Sequence, residues 1–193
     1  MVDKINMVFG PARWNGISKT RKFAQVCAGY DKEEDFWDFK ETVPNLREDM
    51  IFLDMGCGPG RVASFVAPKV KEYYGVDIHP ELIGIAEEHY KDITNISFMI
   101  NNGQDLKMFS DGMFDYVYER LMFIHITKQT IEGYFLECER ILKSRGIFYV
   151  PDLPNDEYWL NGFIEDEVRK LLINFSDIDI HKIGNTFTLK AIR

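Results

Sequence analysis

The sequence predicts an α/β fold: a mainly parallel sheet of about seven strands between helical layers, a three-layer sandwich closed by a C-terminal antiparallel hairpin. Three observations carry this. From about residue 50 onward, short apolar runs alternate with helix-spaced amphipathic segments, the pattern of a parallel sheet covered on both faces. The first of these runs ends in a glycine-rich turn that opens a helix. The last two segments alternate in polarity around Gly184-Asn185, which reads as a hairpin.

Residues 50–55 form an apolar run ending at glycine, a buried strand. Residues 61–71 follow with Val62, Phe65 and Val66 at helical spacing. Residues 73–77 are a second strand, ending in an acid, and Pro80 opens a helix over 80–90, since proline suits a first turn. Strands follow at 96–100 and 114–118. Residues 128–142 are amphipathic, with Ile131, Phe135, Cys138 and Leu142 on one stripe, a helix. Gly146 ends that segment, 147–150 is a fifth strand, and 165–175 is a last helix before the hairpin strands 177–183 and 186–192. Residues 1–49 stand outside the alternation. Within them 18–27 and 33–40 read as helices, with Phe23, Phe36, Trp37 and Phe39 apolar. They form an N-terminal helical cap that covers a ligand cleft or packs on the sheet.

The 193 residues suit a single domain, with 50–193 as its core. At 46% hydrophobic and 28% charged, the chain is globular rather than disordered. A formal net charge of −8 repels phosphate backbones and argues against broad nucleic-acid binding. Cys27, Cys57 and Cys138 make no C-x-x-C pair and no disulfide framework, which fits a reducing, cytoplasmic setting. No signal-peptide pattern and no bilayer-length apolar run is present. Monomer and homodimer both stay open. His79, His89 and His181 read as surface residues without metal-ligand spacing, so no metal is expected.

The turn is Asp54-Met55-Gly56-Cys57-Gly58-Pro59-Gly60. Its glycines permit a tight turn and close ligand approach, at the carboxyl end of a strand where open α/β sheets bind ligands. Seventeen residues past Gly60, Asp77 ends the next strand, placed to accept ribose hydroxyls. This much describes any site for a nucleoside-containing cofactor. A dinucleotide fingerprint needs G-x-G-x-x-G, but the third glycine here comes one place early. The phosphate-loop pattern is absent too. Asp54 would oppose a pyrophosphate and attract an ammonium.

The stretch Phe52-Leu53-Asp54-Met55-Gly56-Cys57-Gly58-Pro59-Gly60-Arg61 resembles the first motif of class I S-adenosylmethionine-dependent methyltransferases. The likeness continues through Tyr74-Gly75-Val76-Asp77-Ile78-His79-Pro80, Asn101-Asn102-Gly103-Gln104-Asp105-Leu106, Phe114-Asp115-Tyr116-Val117 and Ile141-Leu142-Lys143-Ser144-Arg145-Gly146-Ile147, in the family's order and spacing. The resemblance implies a Rossmann-like fold and S-adenosylmethionine as cofactor. It implies that Asp54, Gly56 and Gly58 line the methionine portion, with Cys57 a small filler among them. Gly60 would permit close helix packing, Asp77 would bind the ribose and Ile78 would pack on adenine. Asn102 stands where many relatives carry an acid toward the adenine amino group; its amide oxygen can still accept. Gly103 and Gln104 complete that edge. Glu119, Arg120 and Leu121 would lie near the sulfonium.

Tyr118-Glu119-Arg120-Leu121 does not match the Asn- or Asp-Pro-Pro-aromatic sequence of exocyclic amino-group methyltransferases. The expectation is therefore methyl transfer to oxygen or nitrogen of a small-molecule acceptor. His125, just past the fourth strand, is the candidate base; the competing reading is that it fixes its loop. Tyr158 and Trp159 are candidate acceptor-wall residues, or else core. A protein or RNA methyltransferase, and a non-catalytic cofactor-binding module, are the alternatives. A nicotinamide oxidoreductase is disfavoured by the early glycine and Asp54.

Overall fold

The computed structural model describes residues 43–193, and the expected helices at 18–27 and 33–40 lie outside them. Its strands form a seven-stranded, mostly parallel sheet with a C-terminal antiparallel pair, the expected fold class. The chain divides into two compact units, one running to Gly103 and the other containing Gln104–Arg193.

In the first unit, β1 (Ile51–Met55), β2 (Glu72–Asp77) and β3 (Ile96–Ile100) run parallel, with Phe52 opposite Tyr73 and Val76 opposite Met99. Four of the five β1 residues are buried, as a strand covered on both faces requires. Phe52 and Tyr73 stack at 5.7 Å between ring centroids, and Phe98 meets Tyr73 edge-on at 6.0 Å. The expected helix over 61–71 is broken into α1 (Ala63–Val66) and a 3-10 turn, Ala67–Lys69. Pro68 is the reason: it has no N–H to continue an α-helix, but it fits the first turn of a new one. Helix α2 (Pro80–His89) begins at its proline and buries Ile83 and Ala86.

In the second unit, β4 (Phe114–Glu119) pairs parallel with β5 (Leu142–Pro154). Antiparallel pairing then joins β5 to β7 (Thr186–Ile192), and β7 to β6 (Ser176–Ile183). Helix α3 (Lys128–Ile141) is N-capped by the Thr127 hydroxyl, which accepts from the Thr130 amide, and its buried stripe is Ile131, Tyr134, Phe135, Cys138 and Ile141. Phe135 packs against Phe123, Phe148 and Phe163. Gly146 does not separate helix from strand: β5 starts directly at Leu142 and is 13 residues long. Its register shifts between Val150 and Leu153, a bulge that accommodates Pro151 within the strand. Helix α4 (Glu165–Leu171) is shorter than expected. It carries acids in its first turn and Arg169 and Lys170 in its last, matching the helix dipole. Lys128 ties α3 to α4 through Glu167 at 2.6 Å.

Arg140 on α3 anchors the segment before β4. Its guanidinium donates to the carbonyls of Leu106 and Phe109 and to Asp111 and Glu137, while Glu137 accepts from the Leu106 amide. The Arg140 hydrogen bond and the Leu106 amide hold the Glu137 carboxyl below the usual carboxylate range, against the opposing effect of burial. Among the described residues, no helix is long and apolar enough to cross a membrane.

Candidate functional site

The glycine turn belongs to the first unit and is built as a hook on the end of β2. The amides of Gly56 and Cys57 both donate to the Val76 carbonyl, at 2.8 and 3.0 Å. Gly56, Gly58 and Gly60 all have positive φ (71°, 54° and 84°), a region side chains other than glycine rarely adopt. Gly58 and Gly60 serve different ends. Among the described residues, a Cβ on Gly58 would meet nothing within 4 Å, so the turn is open there. A Cβ on Gly60 would stand 2.8 Å from the Phe98 ring and 3.0 Å from Tyr90. Gly60 therefore permits close packing, as expected, but against β3 and the residue following α2. The Tyr90 hydroxyl donates to the Gly60 carbonyl, and its acidity is pushed down to a pKa of about 12, chiefly by burial.

Asp77 closes the hook. Its Oδ2 accepts the Gly58 amide at 3.0 Å, while Oδ1 accepts the His79 amide at 2.9 Å and faces the His79 ring Nδ1 at 2.8 Å. A carboxylate offers about four lone-pair sites. Three are engaged by the protein itself, which leaves capacity for one further hydroxyl, on Oδ2. His79 is thereby corrected: it is only 5% exposed, because its ring folds back onto Asp77 in the two-residue turn before α2. The spacing Asp77-Ile78-His79-Pro80 carried that signal. Ile78 is half-buried, and its side chain lies 3.0 Å from where a Cβ on Gly103 would sit. Gly103 (φ 73°) donates its amide to Asn101 Oδ1, while Asn102 is exposed.

Asp54 is 2% exposed, and its Oδ2 accepts the Tyr73 hydroxyl at 2.5 Å. Tyr73 is a partner that sequence reasoning missed. It sits 19 residues away and is brought in by the β1–β2 register. Burial first, then the Asp54 charge, keeps the Tyr73 phenol protonated. Burial, then Asp54 and Asp77, likewise pushes the Cys57 thiol up. Cys57 Sγ lies 2.9 Å from where a Cβ on Gly75 would be. A buried neutral thiol in that gap is a filler rather than a nucleophile.

In the second unit, the segment after β4 is braced by side chains. Glu119 is fully buried, and its Oε1 accepts the amides of Met122 and Phe123 at 2.6 and 2.9 Å. Leu121 has φ 61°, and its amide donates to the Asp152 carboxylate at 3.0 Å. Arg120 Nε lies 4.0 Å from the same carboxylate. His125 ends the 3-10 turn Phe123–His125 and is half-buried. Asn161 was missed by sequence reasoning. Its Nδ2 donates to the carbonyls of Phe123 and Ile126 at 2.9 and 2.7 Å, across more than thirty residues of chain. Trp159 is buried and its Nε1 donates to the Asn185 carbonyl of the hairpin, whereas Tyr158 is half-buried and Gln104 is exposed. Phe109, Phe114 and Tyr116 are core.

A strand–glycine-turn–helix unit with an acid ending the next strand defines a Rossmann-like nucleoside-cofactor protein. Residues 53–150, just over half of the chain, match the family described as the methyltransferase domain, and the chain belongs to that family. It is 28% identical over 130 residues to an uncharacterized methyltransferase of Synechocystis, covering 63% of this chain and 59% of that protein. It is 29% identical over 120 residues to demethylmenaquinone methyltransferase of Tropheryma whipplei, covering 62% and 48%. The chain thus spans about half the length of these curated relatives. The fold is that of the Haemonchus contortus phosphoethanolamine N-methyltransferase 1 structure with phosphoethanolamine and S-adenosylhomocysteine: TM-score 0.73, 13% identity, 94% of this chain and 47% of that one.

Proposed function

We propose that this chain is an S-adenosylmethionine-dependent methyltransferase acting on oxygen or nitrogen of a small-molecule acceptor. The observation that carries the reading is the hook: a turn open beside Gly58, with Asp77 held against its amide and one carboxylate lone pair to spare. These residues fit the cofactor. Asp77 would take a ribose hydroxyl, half-buried Ile78 would offer an apolar face to adenine, and buried Asp54 would supply negative potential toward the methionine ammonium. Gly56, Gly58, Asn102 and Gly103 are the other proposed cofactor residues of the first unit, and Gln104, Arg120 and Leu121 are those proposed in the second. When bound, S-adenosylmethionine supplies an activated methyl group on its sulfonium. The chain's own task is then to orient the acceptor and exclude water, which can supply much of the acceleration.

His125 is the proposed base, taking a proton from the acceptor as its oxygen or nitrogen becomes bonded to carbon. Tyr158 is the better placed of the two acceptor-wall candidates, since Trp159 is buried and committed to Asn185. The relatives' names span a fatty-acyl phospholipid, a quinone and phosphoethanolamine, so the acceptor varies among them, and a small molecule is the part of that range proposed for this chain. Incubation with S-adenosylmethionine and fractionated metabolite pools tests this. Release of S-adenosylhomocysteine with a low-molecular-weight fraction is expected. Release only with protein or RNA fractions would overturn the acceptor class.

A further inference from the structure

A three-residue 3-10 turn has little cohesion of its own. The turn that ends in His125 is nevertheless gripped from both sides by buried side chains. On its amino side, Glu119 Oε1 accepts the amides of Met122 and Phe123. These are the donors that a turn's first residues leave without intrahelical partners. On its carboxyl side, Asn161 Nδ2 donates to the carbonyls of Phe123 and Ile126, so one amide group spans the residues on either side of Ile124-His125. Glu119 is 0% and Asn161 4% exposed. Placing two polar side chains in the interior to hold three residues is costly unless their bonds are kept. A turn that only linked β4 to α3 would not need both grips. Leu121, just before the turn, is held at positive φ with its amide on Asp152, so three successive amides, those of Leu121, Met122 and Phe123, are each held by a carboxylate.

We propose that Glu119 and Asn161 are positioning residues for His125: they fix the backbone on both sides of it and thereby the place and direction of its ring. The catalytic meaning rests on His125 being the base, but the positioning itself does not. Glu119, which the resemblance placed near the sulfonium, is assigned to the turn instead because its Oε1 already accepts the Met122 and Phe123 amides, and Asn161 likewise acts through the turn.

Ring-selective NMR of the histidines tests the positioning without any acceptor. In Asn161→Ala, a neutral change, the His125 ring signals are expected to shift and broaden while those of His89 and His181 stay in place. Glu119→Ala and Glu119→Gln both remove the charge, but only alanine removes the acceptor. Glutamine is therefore expected to keep His125 near its wild-type signals and alanine to displace them. Unchanged His125 signals in folded Asn161→Ala overturn the proposal. Equal displacement by Glu119→Gln and Glu119→Ala overturns it as well, and this pair keeps the test open should Asn161→Ala fail to fold. The catalytic arm measures S-adenosylhomocysteine release with a low-molecular-weight cell extract. Asn161→Ala should lower the rate about tenfold alone and hardly at all in a His125→Ala background, as members of one unit behave. Displaced ring signals together with full turnover in His125→Ala would support the positioning and remove the base reading. An equal loss in both backgrounds would show that Asn161 acts on turnover by another route, and overturn its part in the proposal.

Discussion

Replacing Asp77 by asparagine changes one oxygen to an NH2 group and almost nothing in shape, so its effects isolate the acceptor chemistry of the hook. In the native turn, Oδ1 serves the His79 amide and ring, and Oδ2 serves the Gly58 amide. Asparagine has a single acceptor oxygen. If that oxygen stays on His79, the new NH2 points at the Gly58 amide. If the group flips, the NH2 points at the His79 amide. Either way a backbone donor faces a donor. Losing a hydrogen bond to a charged group costs about 1.5–3 kcal/mol, and in a chain of this size that corresponds to a fall in Tm of roughly 3–12 °C. The one spare lone pair, on Oδ2, is lost in the unflipped orientation. In the flipped orientation the ribose keeps an acceptor but loses its charge, so in either case a charge-assisted bond is lost, and S-adenosylhomocysteine should bind more weakly, by up to about 150-fold where the acceptor goes too. Titration calorimetry on the folded variant, beside a thermal melt, reads both effects. A Kd within about twofold of wild type, in a variant whose melt confirms that it folds, would refute the assignment of the ribose to Asp77.

Gly60→Ala should lose about 2–5 kcal/mol of stability, since its φ of 84° and the Phe98 ring 2.8 Å from the added carbon act together. Gly58→Ala meets open space and should lose only about 1–2 kcal/mol while weakening the cofactor; equal losses in urea denaturation would contradict this division of labour. The Glu137 carboxyl is held low, first by its hydrogen bond from Arg140. Its stabilisation is therefore complete above the usual carboxylate range and fades as pH falls through its lowered value. Glu137→Gln should be clearly less stable than wild type near pH 7, with the gap narrowing as pH falls below the usual carboxylate range; a gap that stays constant as pH falls would show the ion pair to be of no consequence.

Much of the architecture was legible because it is written in local pattern. β3 and β7 fall on the residues that alternation marked, and β1, β2, β4 and β6 fall within one residue of theirs. What pattern missed came from the chain's other parts. β5 extends to 13 residues because β4 and β7 offer it a ladder beyond its apolar centre. The break between α1 and the 3-10 turn was visible in Pro68 but was outweighed by the spacing of Val62, Phe65 and Val66. In the site, the hook was readable from glycines and acids near one another in sequence. The pairings of Asp54 with Tyr73, Leu121 with Asp152 and the His125 turn with Asn161 join residues 19 to 38 apart, and no local signal announces them. His79 was misjudged because a histidine in a turn reads as surface until its ring is seen against Asp77.

Whether the hook on β2 holds S-adenosylmethionine is tested most plainly by direct titration of the folded chain with S-adenosylhomocysteine. Saturable binding at one site per chain is expected, displaced by S-adenosylmethionine and weakened by Asp77→Asn. No heat of binding from either compound, or binding that Asp77→Asn leaves untouched, would contradict it.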